Sequence, residues 1–361
     1  MTFNYIIWNV TPRIADLGPL ELRWYGILFS MSFLLGFIVL NKIFVKEGFS
    51  DKLISKLAIY LLVGTIAGLR LGHCLFYEPS YYLSNPIEIL KVWKGGLASH
   101  GAAIGVLTAL YLYCRKVKKP FLWILDRVVI IVMVIAPFIR LGNLANSEII
   151  GGRTQVPWAF LFVNPVNEAL AEKYPEYIDK TKIISMDRDT VINDSVYSEM
   201  RADVYFKNQG LKKEQIHDFI YRMFMPQMSS DEDLVYNTKI FAPLPQIEIT
   251  DIPRYHKASF TFYAIPRHPS QLYESLFYAL MFVFLLFYYR RSKGNFKNGF
   301  MLGMFLIILW TFRFLVEFLK EVQVDFEKDI FLNMGQLLSI PFIIVGIILL
   351  VRAWGKPVAK Q

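Results

Sequence analysis

Residues 121–140 read FLWILDRVVIIVMVIAPFIR, and residues 140–153 continue RLGNLANSEIIGGR. The first string is a mostly apolar run of about twenty residues, the length at which a helix crosses some 30 Å of hydrocarbon. Only Asp126 and Arg127 interrupt it before Arg140. At its end come a guanidinium (Arg140), two amides (Asn143, Asn146) and a carboxylate (Glu148) within nine residues. A charge at the bilayer centre costs about 2.5–3.5 kcal/mol on insertion scales and less near the interface. A cluster of this kind at the end of a membrane-length segment points to work on something anionic at the membrane surface.

The rest of the chain agrees with a membrane reading. It has 361 residues, 55% of them hydrophobic, which is too apolar for an ordinary soluble enzyme. Seven stretches are long enough to span as helices: 24–41, 57–77, 97–114, 121–141, 270–289, 299–318 and 335–353. Between the fourth and fifth lies a long polar segment that is too long for a structureless connection. It holds strand-like runs (Trp158–Val163, Lys239–Phe241) and a helix-like one (Lys212–Met225), and Pro243, Pro245, Pro253 and Pro266 mark its return. The expected fold is an all-α polytopic membrane protein, with seven transmembrane helices and an inserted mixed α+β extramembrane domain on the outer face. The expected divisions are a membrane domain over 1–151, an extracytoplasmic insertion over 152–268 and a membrane domain over 269–361.

The net charge of +9 at first suggests nucleic acid, but its distribution argues against such a partner. Lys42, Lys46, Lys52 and Lys56 lie between spans one and two, Arg115, Lys116, Lys118 and Lys119 between three and four, and Arg290, Arg291, Lys293 and Lys297 between five and six. Arg352, Lys356 and Lys360 close the chain, while the alternate short loops carry far fewer basic residues. This positive-inside bias places the C-terminus in the cytoplasm and the N-terminus outside. Cys74 and Cys114 fall inside spans near opposite faces of the membrane and read as small buried side chains rather than a disulfide.

With that direction, the polar residues inside spans sort by depth. Tyr25, Arg70, His73, Tyr77, His100, Arg140, Tyr273, Glu274, Arg313 and Glu317 all fall in the outer half, from six different spans. A pocket open to the outer leaflet explains so many costly groups at one depth. The plainer alternative is that arginines near helix ends snorkel and that Arg313 and Glu317 pair four residues apart on one helix face. Asp126 and Arg127 lie nearer the other face and read as a packing pair. Arg140 and Arg313 offer planar donor forks suited to phosphate oxygens. Asn143 and Asn146 supply donors for headgroup hydroxyls, and Glu148 an acceptor. On a continuous helix Asn146 and Glu148 diverge by about 160°, so these side chains converge only if the helix ends or bends here, near Gly142, Gly151 and Gly152. His100 supplies an imidazole, the side-chain type suited to proton transfer near neutrality. Hydrolase and nucleotide-binding motifs (Gly-x-Ser-x-Gly, His-Glu-x-x-His, a Walker-type glycine loop) are absent from the sequence.

The string from Arg140 to Gly151 resembles the signature of the prolipoprotein diacylglyceryl transferase family. Supporting matches follow in order: Trp24-Tyr25-Gly26, Gly68-Leu69-Arg70-Leu71-Gly72 with Phe76-Tyr77, Trp93 to Gly101, Arg267 to Glu274, Phe312-Arg313 with Glu317-Phe318, and Met334 to Pro341. The segment from about Val156 to Ala264 lies mostly outside the resemblance. The chain departs from the family pattern at Ile139, at Ala102 after His100-Gly101, and at Leu309 four residues before Arg313.

The resemblance implies transfer of a diacylglyceryl group from phosphatidylglycerol to the thiol of a lipobox cysteine in a prolipoprotein signal peptide, within the bacterial cytoplasmic membrane and among its lipids. It implies that Arg140 binds the lipid phosphate, that Arg313 neutralises the leaving phosphate, and that His100 serves as base. Asn143, Asn146 and Glu148 would hold the glycerol headgroup and Tyr25 the neighbouring wall. Arg70, Gly151, Gln271, Tyr273 and Glu274 complete the implied substrate-binding set. No cofactor or metal is expected, because arginines supply the positive charge and the substrate supplies the nucleophile. Two other readings stand beside it: a transporter of an anionic lipid or metabolite, and a non-enzymatic membrane scaffold whose long loop binds a partner.

Overall fold

Phe121–Ala145 forms one helix through Pro137, and six other long helices surround it in the sequence. They are α1 (Trp24–Lys46), α2 (Asp51–Phe76), α3 (Ser99–Val117), α4 (Phe121–Ala145 itself), α5 (Ser270–Ser292), α6 (Phe300–Val316) and α7 (Met334–Ala353). The computed structural model describes residues 5–17, 20–92, 96, 98–207, 210–321 and 332–354. Trp93, Lys94, Gly95 and Leu97 of the histidine motif lie outside the described residues, as do Lys356 and Lys360 of the charge pattern.

Among the described residues, six helices are long and apolar enough to cross a membrane: α1, α2, α4, α5, α6 with the turn Glu317–Leu319, and α7. The third expected span coincides with α3, a helix of 19 residues that is not among the six. Its His100, Arg115 and Lys116, together with Gly101 and Gly105, lower its hydropathy. The chain is therefore a polytopic helical protein with a sheet-rich insertion.

The described residues fall into two compact units. One draws on Met1–Phe29, Ile139–Ser275 and Leu315–Asn333, the other on Ser30–Phe138, Leu276–Phe314 and Met334–Gln361.

In the second unit α1 buries a stripe of Ser32, Gly36, Leu40, Ile43 and Phe44, the spacing of one helix face. A Cβ at Gly36 would meet Ile131 and Ile135 of α4 at 3.3 Å, so the two helices touch there. The Asp126–Arg127 pair is structural, as read from the sequence. Asp126 accepts from the backbone N–H groups of Gly299 (2.7 Å) and Leu302 (2.8 Å), satisfying donors at the start of α6. Arg127 is 2% exposed, pairs with Glu47 at 3.0 Å and stacks 3.9 Å over Trp123. Helices α2 and α3 cross at backbone contact. A Cβ at Gly68 would lie 2.3 Å from the Gly101 carbonyl oxygen, and one at Gly105 would lie 2.1 Å from that of Gly64. Small residues every fourth position (Gly64, Gly68, Gly72 against Gly101, Gly105, Ala109) make that approach possible.

The first unit is mostly sheet. Its strands are β1 (Ile6–Trp8), β2 (Arg13–Leu17), β3 (Leu20–Arg23), β4 (Phe160–Phe162), β5 (Ile178–Ile192), β6 (Ser195–Lys207), β7 (Thr238–Lys239), β8 (Glu248–Ile252), β9 (Tyr255–Ala264) and β10 (Pro266–Arg267). β1 runs parallel to β4, with β10 antiparallel on the other side. β2 and β3 form a hairpin that leads into α1. The larger sheet has the order β5-β6-β9-β7, with β8 also paired to β9. Alternate residues of β6 (Met200, Ala202, Val204, Phe206) and β9 (Ala258, Phe260, Phe262, Ala264) point into one core with Ile216, Ile220 and Phe224. The expected strands appear as β4 and β7, and the expected helix as Lys213–Asp218, which continues in wider turns to Phe224. The long hairpin β5–β6 was not anticipated. Asp179, Lys180, Lys182, Asp187 and Arg188 make β5 read as a solvated loop.

Candidate active site

The signature residues are arranged by the way α4 ends. Ser147 takes φ 53°; its N–H donates to Leu144 O at 3.0 Å and the N–H of Glu148 to Asn143 O at 2.9 Å. This pair of bonds is a Schellman ending, which usually has glycine at the left-handed position. Ile149 adds a second positive φ, 56°. Left-handed backbone costs side-chain-bearing residues about 1–2 kcal/mol each, so partners must hold the loop. Ser270 Oγ donates to Ile149 O at 2.7 Å, Gln271 Nε2 to Glu148 O at 2.6 Å, and the Gly151 N–H to His268 O at 3.0 Å. A Cβ at Gly151 would lie 2.6 Å from that same oxygen, so only glycine fits there.

The turn brings four polar side chains together. Asn143 Nδ2 donates to Glu148 Oε2 and Asn146 Nδ2 to Glu148 Oε1, both at 3.1 Å. Asn143 is buried while Glu148 is exposed, so the cluster opens on the carboxylate side. Arg140 Nη1 lies 3.4 Å from Asn143 Oδ1, a long contact, and Arg140 Nε lies 2.6 Å from Glu274 Oε2. Glu274 is 1% exposed; its other oxygen faces Lys320 Nζ at 3.2 Å, and Lys320 also meets Glu317 at 3.2 Å. The buried acceptors Asn146 Oδ1 and Gln271 Oε1 find no donor among the described residues.

Tyr25 forms a wall: a Cβ at Gly142 would lie 2.7 Å from its ring. Tyr273 OH accepts from Trp158 Nε1 at 2.8 Å and lies 3.1 Å from His268 Nδ1. Burial holds the His268 imidazole below its ordinary pKa, which keeps it neutral at pH 7.

Tyr25, Arg140, Asn143, Asn146, Glu148, Gly151, Gln271, Tyr273 and Glu274 all belong to the first unit; Arg70, His73, Tyr77, His100 and Arg313 belong to the second. Arg70 is 3% exposed and donates to the backbone carbonyls of Glu88 (2.7 Å) and Ile89 (3.0 Å), which ties down the segment after α2. His100 is exposed in the first turn of α3, its ring packed edge-on to Phe76 at 5.0 Å and beside Tyr77 at 5.9 Å. Arg313 lies on α6 with its guanidinium 5.7 Å from the Trp310 ring, and Trp310 stacks on Phe342.

Sequence reasoning passed over three participants. Lys320 is one of the sparse basic residues after the sixth span; its spacing of three from Glu317 is the signal that marks it. Arg267 is 1% exposed, stacks 3.4 Å over Tyr236, pairs with Glu321 at 3.1 Å and donates to Gly151 O at 3.3 Å. It ties the return of the insertion to the end of the signature. Trp8 Nε1 donates to Leu144 O at 2.9 Å, fixing the last turn of α4.

The sequence profile of the family described as Prolipoprotein diacylglyceryl transferase matches residues 12–352. Similar proteins bear the name phosphatidylglycerol–prolipoprotein diacylglyceryl transferase. One from Chloroherpeton thalassium is 35% identical over 98% of this chain and 96% of its own length. One from Tolumonas auensis is 33% identical over 96% of each. One from Porphyromonas gingivalis is 32% identical over 99% of this chain and 98% of its own. With the profile and these relatives covering nearly all of its length, the chain belongs to the prolipoprotein diacylglyceryl transferase family.

Proposed function

We propose that this protein transfers the diacylglyceryl group of phosphatidylglycerol to the lipobox cysteine of prolipoproteins. The cysteine sulfur forms a thioether with the glyceryl carbon, the carbon–oxygen bond to phosphate breaks, and glycerol phosphate leaves. The thiol proton goes to a base. A thiolate and a phosphodiester monoanion become a neutral thioether and a phosphate dianion, so negative charge gathers on the leaving group and cations must meet it there. A free thiol near pKa 8.5 is mostly protonated at neutral pH and needs that base.

The observation that carries the assignment of roles is Arg140, held by buried Glu274 beside the Asn143–Glu148–Asn146 cluster. Arg140 binds the lipid phosphate and Arg313 the departing one. His100 takes the thiol proton. Asn143, Asn146 and Glu148 receive the glycerol, and Tyr25 walls it. The acceptors Asn146 Oδ1 and Gln271 Oε1, which find no donor among the described residues, suit hydroxyl donors, which glycerol supplies. Gly151, Tyr273 and Glu274 shape the site, and Arg70 secures the segment after α2.

In this reading the protein is a multi-pass protein of the bacterial cytoplasmic membrane with its C-terminus in the cytoplasm and N-terminus outside. Helix α3 completes seven spans. Membrane domains over 1–151 and 269–361 flank an extracytoplasmic insertion over 152–268. The test is incubation of the purified chain with phosphatidylglycerol and a lipobox peptide. Mass spectrometry should find the peptide heavier by one diacylglyceryl group, and a Cys→Ser peptide unchanged. An unmodified cysteine peptide refutes the proposal.

A further inference from the structure

Asn164 belongs to the insertion, not to the signature, yet it reaches the signature's most constrained residue. It is 1% exposed, and both ends of its amide are engaged. Oδ1 accepts from Ser147 Oγ at 2.5 Å, and Nδ2 donates to Glu168 Oε1 at 3.3 Å. The second bond fits this orientation of the amide, whose nitrogen end donates to a Glu168 carboxyl oxygen.

Ser147 sits at the left-handed position that closes α4, where a side chain is disfavoured and glycine is usual. It stands between Asn146 and Glu148, whose side chains bond to each other. A change of φ at residue 147 swings both. The Cβ makes this residue a poor choice for the turn, but its hydroxyl is the group Asn164 grips, so a buried hydrogen bond offsets local strain.

We propose that Asn164 is a positioning residue: through Ser147 it holds Asn146 and Glu148 in the orientation that receives a glycerol phosphate headgroup. This rests on the function proposed above, since it assumes that the cluster binds phosphatidylglycerol. It also gives the insertion a direct part in the site.

The experiment uses the full chain in detergent and two variants, Asn164→Leu and Ser147→Gly. The second keeps the turn while removing the hydroxyl, so it decides the matter alone if Asn164→Leu does not accumulate. Calorimetry measures the affinity for short-chain phosphatidylglycerol and, separately, for a lipobox peptide. Both variants are expected to bind the lipid about tenfold more weakly, the size of one buried hydrogen bond, with peptide affinity unchanged. Unchanged lipid affinity in the variants overturns the proposal. So does a parallel loss for both ligands, which indicates general loosening, and so does a wild-type chain that does not bind the lipid. Transfer by the wild type is followed alongside. If it binds the lipid and transfers nothing, the proposed function fails and the affinities still judge Asn164.

Discussion

Glu274 holds Arg140 by its Nε at 2.6 Å and Lys320 by its Nζ at 3.2 Å, one buried carboxylate between two cations. With Glu317 on Lys320, two positive and two negative groups share this network. Removing one partner of a buried pair leaves uncompensated charge and typically costs about 3–5 kcal/mol. Glu274→Gln is therefore expected to lower the melting temperature of the lipid-free protein. A phosphate anion restores what the variant lacks, so phosphatidylglycerol should raise its melting temperature more than it raises that of the wild type. Equal gains from lipid in both proteins would show that Glu274 does not govern the charge at this site.

Arg140 meets Glu274 with one nitrogen and faces Asn143 with another, a geometry that a planar fork provides and a point charge does not. Arg140→Lys is expected to lose most of the transfer rate, about a hundredfold or more if the fork orients phosphate in the transition state. Arg140→Ala and Arg313→Ala should abolish thioether formation while the protein still inserts. His100→Gln separates base from packing, because glutamine keeps contact with Phe76 and Tyr77 but takes no proton at neutral pH. Rates from membranes with matched protein levels check all four. A lysine variant within threefold of wild type would mean that charge alone suffices, and near-normal His100→Gln would remove that residue from the chemistry.

How much of this was legible in the sequence depends on which atoms make each contact. Arg140, Asn143, Asn146 and Glu148 stood out because charges and amides at the end of an apolar run need a reason. The pairing of Arg140 with Glu274 did not, since nothing local joins residues so far apart in the chain. Arg70 stands out by its charge, but it donates to the backbone carbonyls of Glu88 and Ile89, groups that every residue has and no sequence marks. Ser147 gave no sign of a left-handed turn because serine is a common helix and loop residue, whereas glycine there would have ended the helix visibly. The six apolar helices were readable from length and composition. Strand β5 was not, because as an edge strand it has a solvated side and its charges hide the alternation.

The α2–α3 crossing depends on glycines for space rather than for backbone freedom. A methyl at Gly105 would sit 2.1 Å from Gly64 O and one at Gly68 2.3 Å from Gly101 O, and neither oxygen can move without shifting a helix. Gly105→Ala and Gly68→Ala are each expected to destabilise the protein by about 1–3 kcal/mol through overpacking. Larger residues should prevent accumulation. Gly26→Ala is the control, because among the described residues nothing beyond its own helix backbone and chain neighbours lies within 4 Å of its added methyl. Thermal unfolding in detergent reads the difference, and seam variants as stable as Gly26→Ala would show that the helices do not pack this closely.

Glu168 gives the insertion a pH dependence whose sign can be worked out. Burial, with a further push from Glu172, raises its carboxyl from 4.5 to about 7 against smaller opposing effects from Asn164 and Arg23. Between these values the unfolded chain has lost the proton and the folded protein keeps it, so folding takes up a proton. Stability from this group is highest below pH 4.5, falls as pH rises, and levels off above about 7. A shift of this size, discounted for residual solvent access, amounts to about 1–2 kcal/mol. Glu168→Gln retains a carbonyl acceptor for Asn164 but has no charge to desolvate. The variant should match the wild type near pH 4.5 and exceed it in melting temperature at pH 8. A wild-type advantage at pH 8 would mean that the ionised carboxylate is stabilised where it sits, with Arg23 outweighing burial.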